Sequence, residues 1–193
     1  MRTKHLIVGV AATSMMLLTP TVAHAEPSGS VASPSLTGLT AAIADRLDLA
    51  DTVAQSKWAS GAAIDDPARE QVVLDSVTQL AVERELDPTY VRAVFRDQIE
   101  ASKTVQRGLF ALWSAPGAQP PTGSPDLGPV RSAINQLNVE IVDEMTEQRT
   151  TLAGGLCLPA LAASTVTTIA TDRLDPLHIT GLVQAQQSVC RLS

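Results

Sequence analysis

The sequence predicts an all-α protein, a bundle of about six helices, and three observations lead to this fold class. Five capping residues are each followed at once by proline and then by apolar residues at i, i+3 and i+4, the pattern of a helix that begins there. No long stretch shows the alternation or the β-branched clustering of a sheet. Aromatic residues make up only 3% of the chain, so the core must be built from leucine, valine, isoleucine and alanine.

Each helix has a recognisable start. The five capping pairs are Ser33-Pro34, Asp66-Pro67, Asp87-Pro88, Ser124-Pro125 and Asp175-Pro176. In each pair a side-chain oxygen accepts from a free backbone N–H, and the proline has no N–H to lose. A sixth helix is expected to begin near Leu158-Pro159. The predicted helices span 35–59, 67–85, 88–113, 125–150, 159–173 and 176–190, with Gly61 ending the first and a Pro- and Gly-rich loop at 115–123.

The first 25 residues have the features of a secretory signal. Arg2 and Lys4 precede an apolar run, and Ala23-His24-Ala25 is an A-x-A cleavage site. The run is too short to span a bilayer. We therefore expect cleavage after Ala25, which leaves residues 26–193 as a single helical domain that is periplasmic or secreted.

Charge excludes some classes of partner. The formal net charge is −6, and removing residues 1–25 deletes two basic residues and no acidic one, which makes it −8. An acidic chain without a basic block is a poor candidate for binding nucleic acid or, after signal cleavage, an anionic membrane.

The two cysteines, Cys157 and Cys190, are predicted to form a disulfide, because an exported protein folds in an oxidising compartment. A metal site would need more ligands than two thiolates, and His178 is the only histidine outside the signal segment. No metal is expected.

The first helix carries two cations on a face that should be apolar. Arg46 and Lys57 are eleven residues apart, which places them on one face about three turns apart. A buried charge is costly unless it meets an opposite charge, so an anionic group is expected inside the bundle. The whole stripe is Leu39, Ile43, Arg46, Ala50, Val53 and Lys57.

Other predicted helices also carry polar or charged residues on or beside their apolar faces. Ser102 and Gln106 interrupt the stripe of the third helix at i and i+4, and both can donate hydrogen bonds. Asp66 and Arg69 lead into the apolar face of the second helix, and Arg131 flanks that of the fourth. Together, three cations or more and two neutral donors would converge between helices, with one capping carboxylate nearby.

Each of these residues also has an ordinary structural explanation. Asp66 would serve as an N-cap, Lys57 could extend along Trp58, and Gln106 could bridge two helices. The alternative ion pairs are Arg46 with Asp45 or Asp48, and Arg69 with Asp65 or Asp66.

The residues that are missing limit the chemistry. With one histidine, no free thiol and no paired carboxylates on a common face, covalent and general acid–base catalysis are poorly supported. A polycationic pocket suits a dianionic substrate and a reaction that needs only positioning and charge stabilisation.

From about Ser35 to Cys190 the chain resembles the exported, all-helical chorismate mutases, the secreted gamma subclass of the AroQ-type fold. The resemblance rests on residue order and spacing, on the context Ile64-Asp65-Asp66, and on the late cysteine pair. The spaced set is Arg46, Lys57, Asp66, Arg69, Ser102 and Gln106.

The resemblance implies the conversion of chorismate to prephenate by an intramolecular Claisen rearrangement without a cofactor, in a protein that is typically a homodimer. Three arginines, Arg46, Arg69 and Arg131, would bind the two carboxylates. The implied contacts of the other residues are Lys57 and Gln106 with the ether oxygen, Ser102 with a carboxylate, and Asp66 and Glu70 with the ring hydroxyl.

Two positions depart from the pattern. Some relatives carry glutamate at the position of Gln106, which must be protonated to donate, so glutamine predicts a flatter pH response here. Some carry glutamine at the position of Val73. Two other functions stay open from the residues alone: a non-catalytic exported helical module, such as an inhibitor or interaction protein, and a binding protein for a small diacid without turnover.

Overall fold

The computed structural model describes residues 35–190, and within this range all regular structure is helical, which confirms the predicted fold class. The predicted signal segment and the first capping pair, Ser33-Pro34, lie outside the described residues. No helix in the described range is long and apolar enough to cross a membrane. The helices are α1 (Thr37–Ser60), α2 (Pro67–Glu83), α3 (Pro88–Trp113), α4 (Leu127–Glu147), α5 (Arg149–Leu152), α6 (Cys157–Asp172) and α7 (Pro176–Ala185).

Three of the predicted caps are confirmed by hydrogen bonds at helix starts. The carboxylate of Asp66 accepts from the backbone N–H of Arg69 at 3.1 Å. Asp87 caps α3, and Asp175 accepts from two backbone N–H groups at the start of α7. Gly61 ends α1 with φ of 69°, in the left-handed region that glycine adopts without strain.

Other helix boundaries were predicted wrongly. The fourth helix begins at Leu127, not at Pro125, because Asp126 accepts from the backbone N–H of Gly128 at 2.9 Å and takes the capping position predicted for Ser124. This helix also ends early, because Gln148 leaves the helical conformation and the chain resumes as the short α5; the described range therefore holds seven helices, against the prediction of about six.

The last two helices also differ from the prediction. α6 begins at Cys157, with Pro159 inside its first turn, where a missing N–H costs nothing. α7 ends at Ala185, and residues 186–189 continue as tight turns with i to i+3 hydrogen bonds. These turns lead to Cys190, which forms the predicted disulfide with Cys157 across 5.7 Å between Cα atoms.

α1 is the central helix of the described structure. It packs against α3, α4, α6 and α7, while α2 packs against α3 and α4. At Gly181 the backbone of α7 comes so close that a Cβ there would lie 2.9 Å from side-chain carbons of Leu47 and Val105. α1, α2, α3 and α4 therefore enclose one region of the bundle, with α7 packed behind α1 and α3.

Candidate active site

A cavity of about 140 Å³ lies among α1, α2, α3, α4 and the loop before α2. The structure brings to it every side chain that the sequence analysis assigned to substrate: Arg46, Lys57, Asp66, Arg69, Glu70, Ser102, Gln106 and Arg131. Apolar side chains, such as Val53 and Val130, complete the wall.

Arg46 is the most deeply buried cation of the cavity. Arg46 is 6% exposed, and its Nε donates to the side-chain oxygen of Asn138 on α4 at 2.9 Å. The guanidinium also lies 5.7 Å from the ring centroid of Phe95. It forms no ion pair with Asp45, Asp48 or any other residue of the described range. Burial, and next the charge of Arg69, lower the pKa of Arg46 to about 10, so it remains charged at neutral pH.

Lys57 reaches the cavity from the last turn of α1. Its ammonium donates to the backbone carbonyl of Ile64, in the loop that connects α1 to α2. Burial lowers the pKa of Lys57, against the opposing effect of the carboxylates of Asp66 and Glu70 nearby. Neither carboxylate lies within ion-pair distance of the ammonium, so Lys57 has no acidic partner among residues 35–190.

The first turn of α2 supplies a second guanidinium. Asp66 is the N-cap, as its ordinary explanation required, and its side chain faces the backbone of Arg69. The Nη2 atom of Arg69 is buried and has no hydrogen-bond partner in the described structure. The alternative ion pairs of Arg69 with Asp65 or Asp66 are not formed. A buried, unpartnered guanidinium nitrogen on a cavity wall can donate a hydrogen bond to an anionic oxygen.

The third helix supplies a neutral polar pair. The Nε2 of Gln106 donates to the hydroxyl of Ser102 at 3.1 Å, and Gln106 is 3% exposed. The Oε1 of Gln106 is buried without a partner. This amide can therefore still form a hydrogen bond in the cavity.

Arg131 lies on α4 at the cavity edge and is exposed. It forms no ion pair with any residue of the described range. Its guanidinium is open to solvent, whereas that of Arg46 is buried.

Two polar residues of the site were missed in the sequence. Lys103 lines the cavity, and Asn138 holds Arg46. Lys103 is four residues after Ile99 and three before Gln106, which is a helical spacing that could have identified it. Nothing in the sequence marks Asn138, because an asparagine on a helix is ordinary.

The cavity has an excess of positive charge. Five cations and two carboxylates line it, which leaves three positive charges in excess among these residues. No group of three His, Cys, Asp or Glu side chains within residues 35–190 is placed to hold a metal ion. His178 lies elsewhere, between α7 and α1. The arrangement can bind a compact dianion and stabilise negative charge that develops on it.

Known proteins are similar to this chain over most of its length. The family described as chorismate mutase type II matches residues 38–107. The secreted chorismate mutase of Mycolicibacterium smegmatis is 44% identical over 161 residues, covering 83% of this chain and 88% of that protein. The secreted chorismate mutase of Mycobacterium tuberculosis is 30% identical over 184 residues, or 95% of this chain and 90% of that protein.

Solved structures are similar in fold as well. The crystal structure of chorismate mutase from Burkholderia thailandensis superimposes with a TM-score of 0.76 at 33% identity, over 80% of this chain and 98% of that chain.

Proposed function

This chain belongs to the family of secreted chorismate mutases, and from that membership we propose that it converts chorismate to prephenate in the cavity among α1, α2, α3 and α4. The observation that carries the proposal is the buried Arg46, which lines the cavity without a carboxylate partner. Asn138 and Phe95 offset only part of the cost of burying this charge, and an anionic ligand would offset the rest.

The reaction needs no group transfer to the protein. In chorismate, the C–O bond of the enolpyruvyl ether breaks as a new C–C bond forms at the ring, and all atoms stay in one molecule. The protein has two tasks: to hold the enolpyruvyl group and the ring of chorismate in the reactive conformation, and to stabilise negative charge that develops on the ether oxygen.

Three arginines would bind the two carboxylates of chorismate. Arg46 and Arg69 contact the substrate from the buried side, and Arg131 closes on it from the cavity edge. The unpartnered Nη2 of Arg69 supports this role, since a carboxylate oxygen would complete its hydrogen bonding. Ser102 would add a hydroxyl contact to a carboxylate.

Lys57 and Gln106 would act on the ether oxygen. The Lys57 ammonium lies at one side of the cavity, held by the carbonyl of Ile64. Rotation of the Gln106 amide would let its Nε2 donate to the substrate while its Oε1 accepts from Ser102, which would also satisfy the unpartnered oxygen. Asp66 and Glu70, which also line the cavity, would contact the ring hydroxyl.

Export and assembly complete the proposal. We propose that residues 1–25 are a signal peptide cleaved after Ala25, and that residues 26–193 act outside the cytoplasm, in the periplasm or the medium, as a homodimer. The secreted character of the named relatives supports export.

The test is an assay of chorismate consumption. Purified protein that begins at Glu26 should remove the ultraviolet absorbance of chorismate without added metal or nucleotide, and prephenate should accumulate. The Lys57→Ala variant should fold normally and lose most of the activity. Binding without product would favour the diacid-binding alternative, and neither binding nor product would favour the non-catalytic interaction module.

A further inference from the structure

Lys103 is surrounded by carboxylates at the edge of the cavity. Its ammonium lies 2.6 Å from Glu100, 3.3 Å from Glu70 and 3.3 Å from Asp65. The side chain is 11% exposed and lines the cavity. Burial acts to lower the pKa of Lys103, but the hydrogen bonds with Glu100, Asp65 and Glu70 outweigh it and raise the pKa.

Lys57 lies in the electric field of the same acidic groups. Asp66, Asp65 and Glu70 all act to raise its pKa, yet none of them is within ion-pair distance of its ammonium. Two of the three, Asp65 and Glu70, are the residues that Lys103 binds. Lys103 therefore binds two of the three carboxylates that act on Lys57, while the third, Asp66, accepts from the backbone N–H of Arg69.

The connecting loop links the two lysines. The carbonyl of Ile64 accepts from Lys57, and the carboxylate of the next residue, Asp65, contacts Lys103 and also Arg107, at 2.9 Å. Asp65 is thus held by two cations on α3, whereas Glu70 has Lys103 as its only ion-pair partner in the described structure. Losing Lys103 would free Glu70 more than it would free Asp65.

We propose that Lys103 is a positioning residue that keeps Glu70 away from Lys57, so that the Lys57 ammonium stays available to the dianionic substrate. This inference rests on the proposed function, because it concerns the cation assigned to the ether oxygen. If Glu70 turned toward Lys57, the resulting ion pair would have to break before the substrate could bind, and the cavity would lose positive charge.

A double-mutant cycle tests the proposal. The variants are Lys103→Met, Glu70→Gln and the two combined, and kcat and KM for chorismate are measured for each. We expect Lys103→Met alone to lower kcat/KM about tenfold, mainly through KM. In the Glu70→Gln background, the same change should lower kcat/KM less than about twofold, because position 70 then has no charge that could compete for Lys57 and Asp65 is still paired with Arg107.

Two further variants separate positioning from other roles. Lys103→Arg keeps the cation and should restore kcat/KM to within about threefold of wild type. Arg107→Met removes the other cation on Asp65 from a half-exposed position outside the cavity wall, and should leave kcat/KM within about twofold of wild type. Far-UV circular dichroism checks the fold of every variant, and Lys103→Gln replaces Lys103→Met if that variant does not fold.

The outcomes are distinct. An equal loss from Lys103→Met in both backgrounds would mean that Lys103 contacts the substrate directly, and would overturn the proposal. An equal loss from Arg107→Met would assign the effect to the loop through Asp65, and would also overturn it. A wild-type protein that is active while Lys103→Met is unchanged refutes only this inference, whereas an inactive wild-type protein removes the proposed function and the inference together.

Discussion

Replacing Arg46 with methionine should separate substrate binding from the stability of the fold. Burial, with Arg69 nearby, lowers the pKa of Arg46 to about 10. A base whose pKa falls on folding destabilises the native state at every pH below the folded-state pKa, and this cost disappears only as the pH rises from about 10 toward the higher pKa of the unfolded chain. At about 1.4 kcal/mol for each pKa unit, the charged guanidinium costs about 3 kcal/mol at neutral pH.

Two contacts of Arg46 offset part of this cost. The hydrogen bond to Asn138 contributes about 1 kcal/mol, and the position over Phe95 about another 1 kcal/mol. Methionine loses both contacts and leaves the buried side-chain oxygen of Asn138 without its donor, which costs about 1–3 kcal/mol, but it also removes the buried charge. The free energy of unfolding of Arg46→Met should therefore lie within about 1 kcal/mol of that of wild type.

Activity should change much more than stability. Without a buried cation for a substrate carboxylate, kcat/KM for chorismate should fall by about 10²-fold or more. Urea unfolding and the ultraviolet assay measure the two effects on one preparation, and Arg96→Met, an exposed arginine on α3, is the matched control that should change neither. A variant destabilised by more than about 2 kcal/mol, or one that retains activity within about tenfold of wild type, would refute this reasoning.

Three other perturbations test separate parts of the molecule. Because an amide does not titrate, wild-type activity should vary little between about pH 5 and pH 8. The Gln106→Glu variant should be more active at acid pH, since only a protonated carboxyl donates a hydrogen bond. An unchanged pH profile in this variant would count against the contact of Gln106 with the ether oxygen. Burial acts to lower the pKa of His178, but its two carboxylate partners, at 2.8 Å and 3.1 Å, outweigh burial and raise it above 6.5. Protonated His178 thus stabilises the native state fully below the pKa that it has in the unfolded chain, and this effect is lost as the pH rises through its folded-state pKa. The Tm of wild type should therefore fall from about pH 6 to pH 8. A similar fall in His178→Gln would show that another group is responsible. Replacing both Cys157 and Cys190 with serine should lower the free energy of unfolding by about 3–4 kcal/mol at nearly constant kcat, and a loss below about 1 kcal/mol would contradict the stabilising role of the disulfide.

Local signals made most of the fold predictable. Asp66, Asp87 and Asp175 each cap a helix within two or three residues of themselves, so a short stretch of sequence contains the whole interaction. The prediction that Ser124 caps the fourth helix was wrong because Asp126, two residues later, is also a capping residue. The sequence does not show which of the two side-chain oxygens reaches a backbone N–H. The break at Gln148 has no local signal, since neither glycine nor proline marks it.

The site was predictable where its residues violate a pattern. Arg46 and Lys57 are cations on an apolar stripe, and this departure from the helical pattern can be recognised from the sequence alone. Asn138 and Lys103 act through partners that are distant in sequence: Asn138 is 92 residues from Arg46, and Lys103 is 33 residues from Glu70. Only the packing of α4 and α2 against the other helices brings these pairs together, so periodicity alone could not assign them.

The construction of the cavity from four helices has a consequence for the time at which activity appears. The residues that line it extend from Arg46 to Arg131 and are spread over these four helices. A partly folded chain, with α4 not yet docked on α1, lacks Arg131 and the hydrogen bond from Arg46 to Asn138. During refolding, turnover of chorismate should therefore return only when all four helices have docked, which makes the reaction itself a readout of completed tertiary structure.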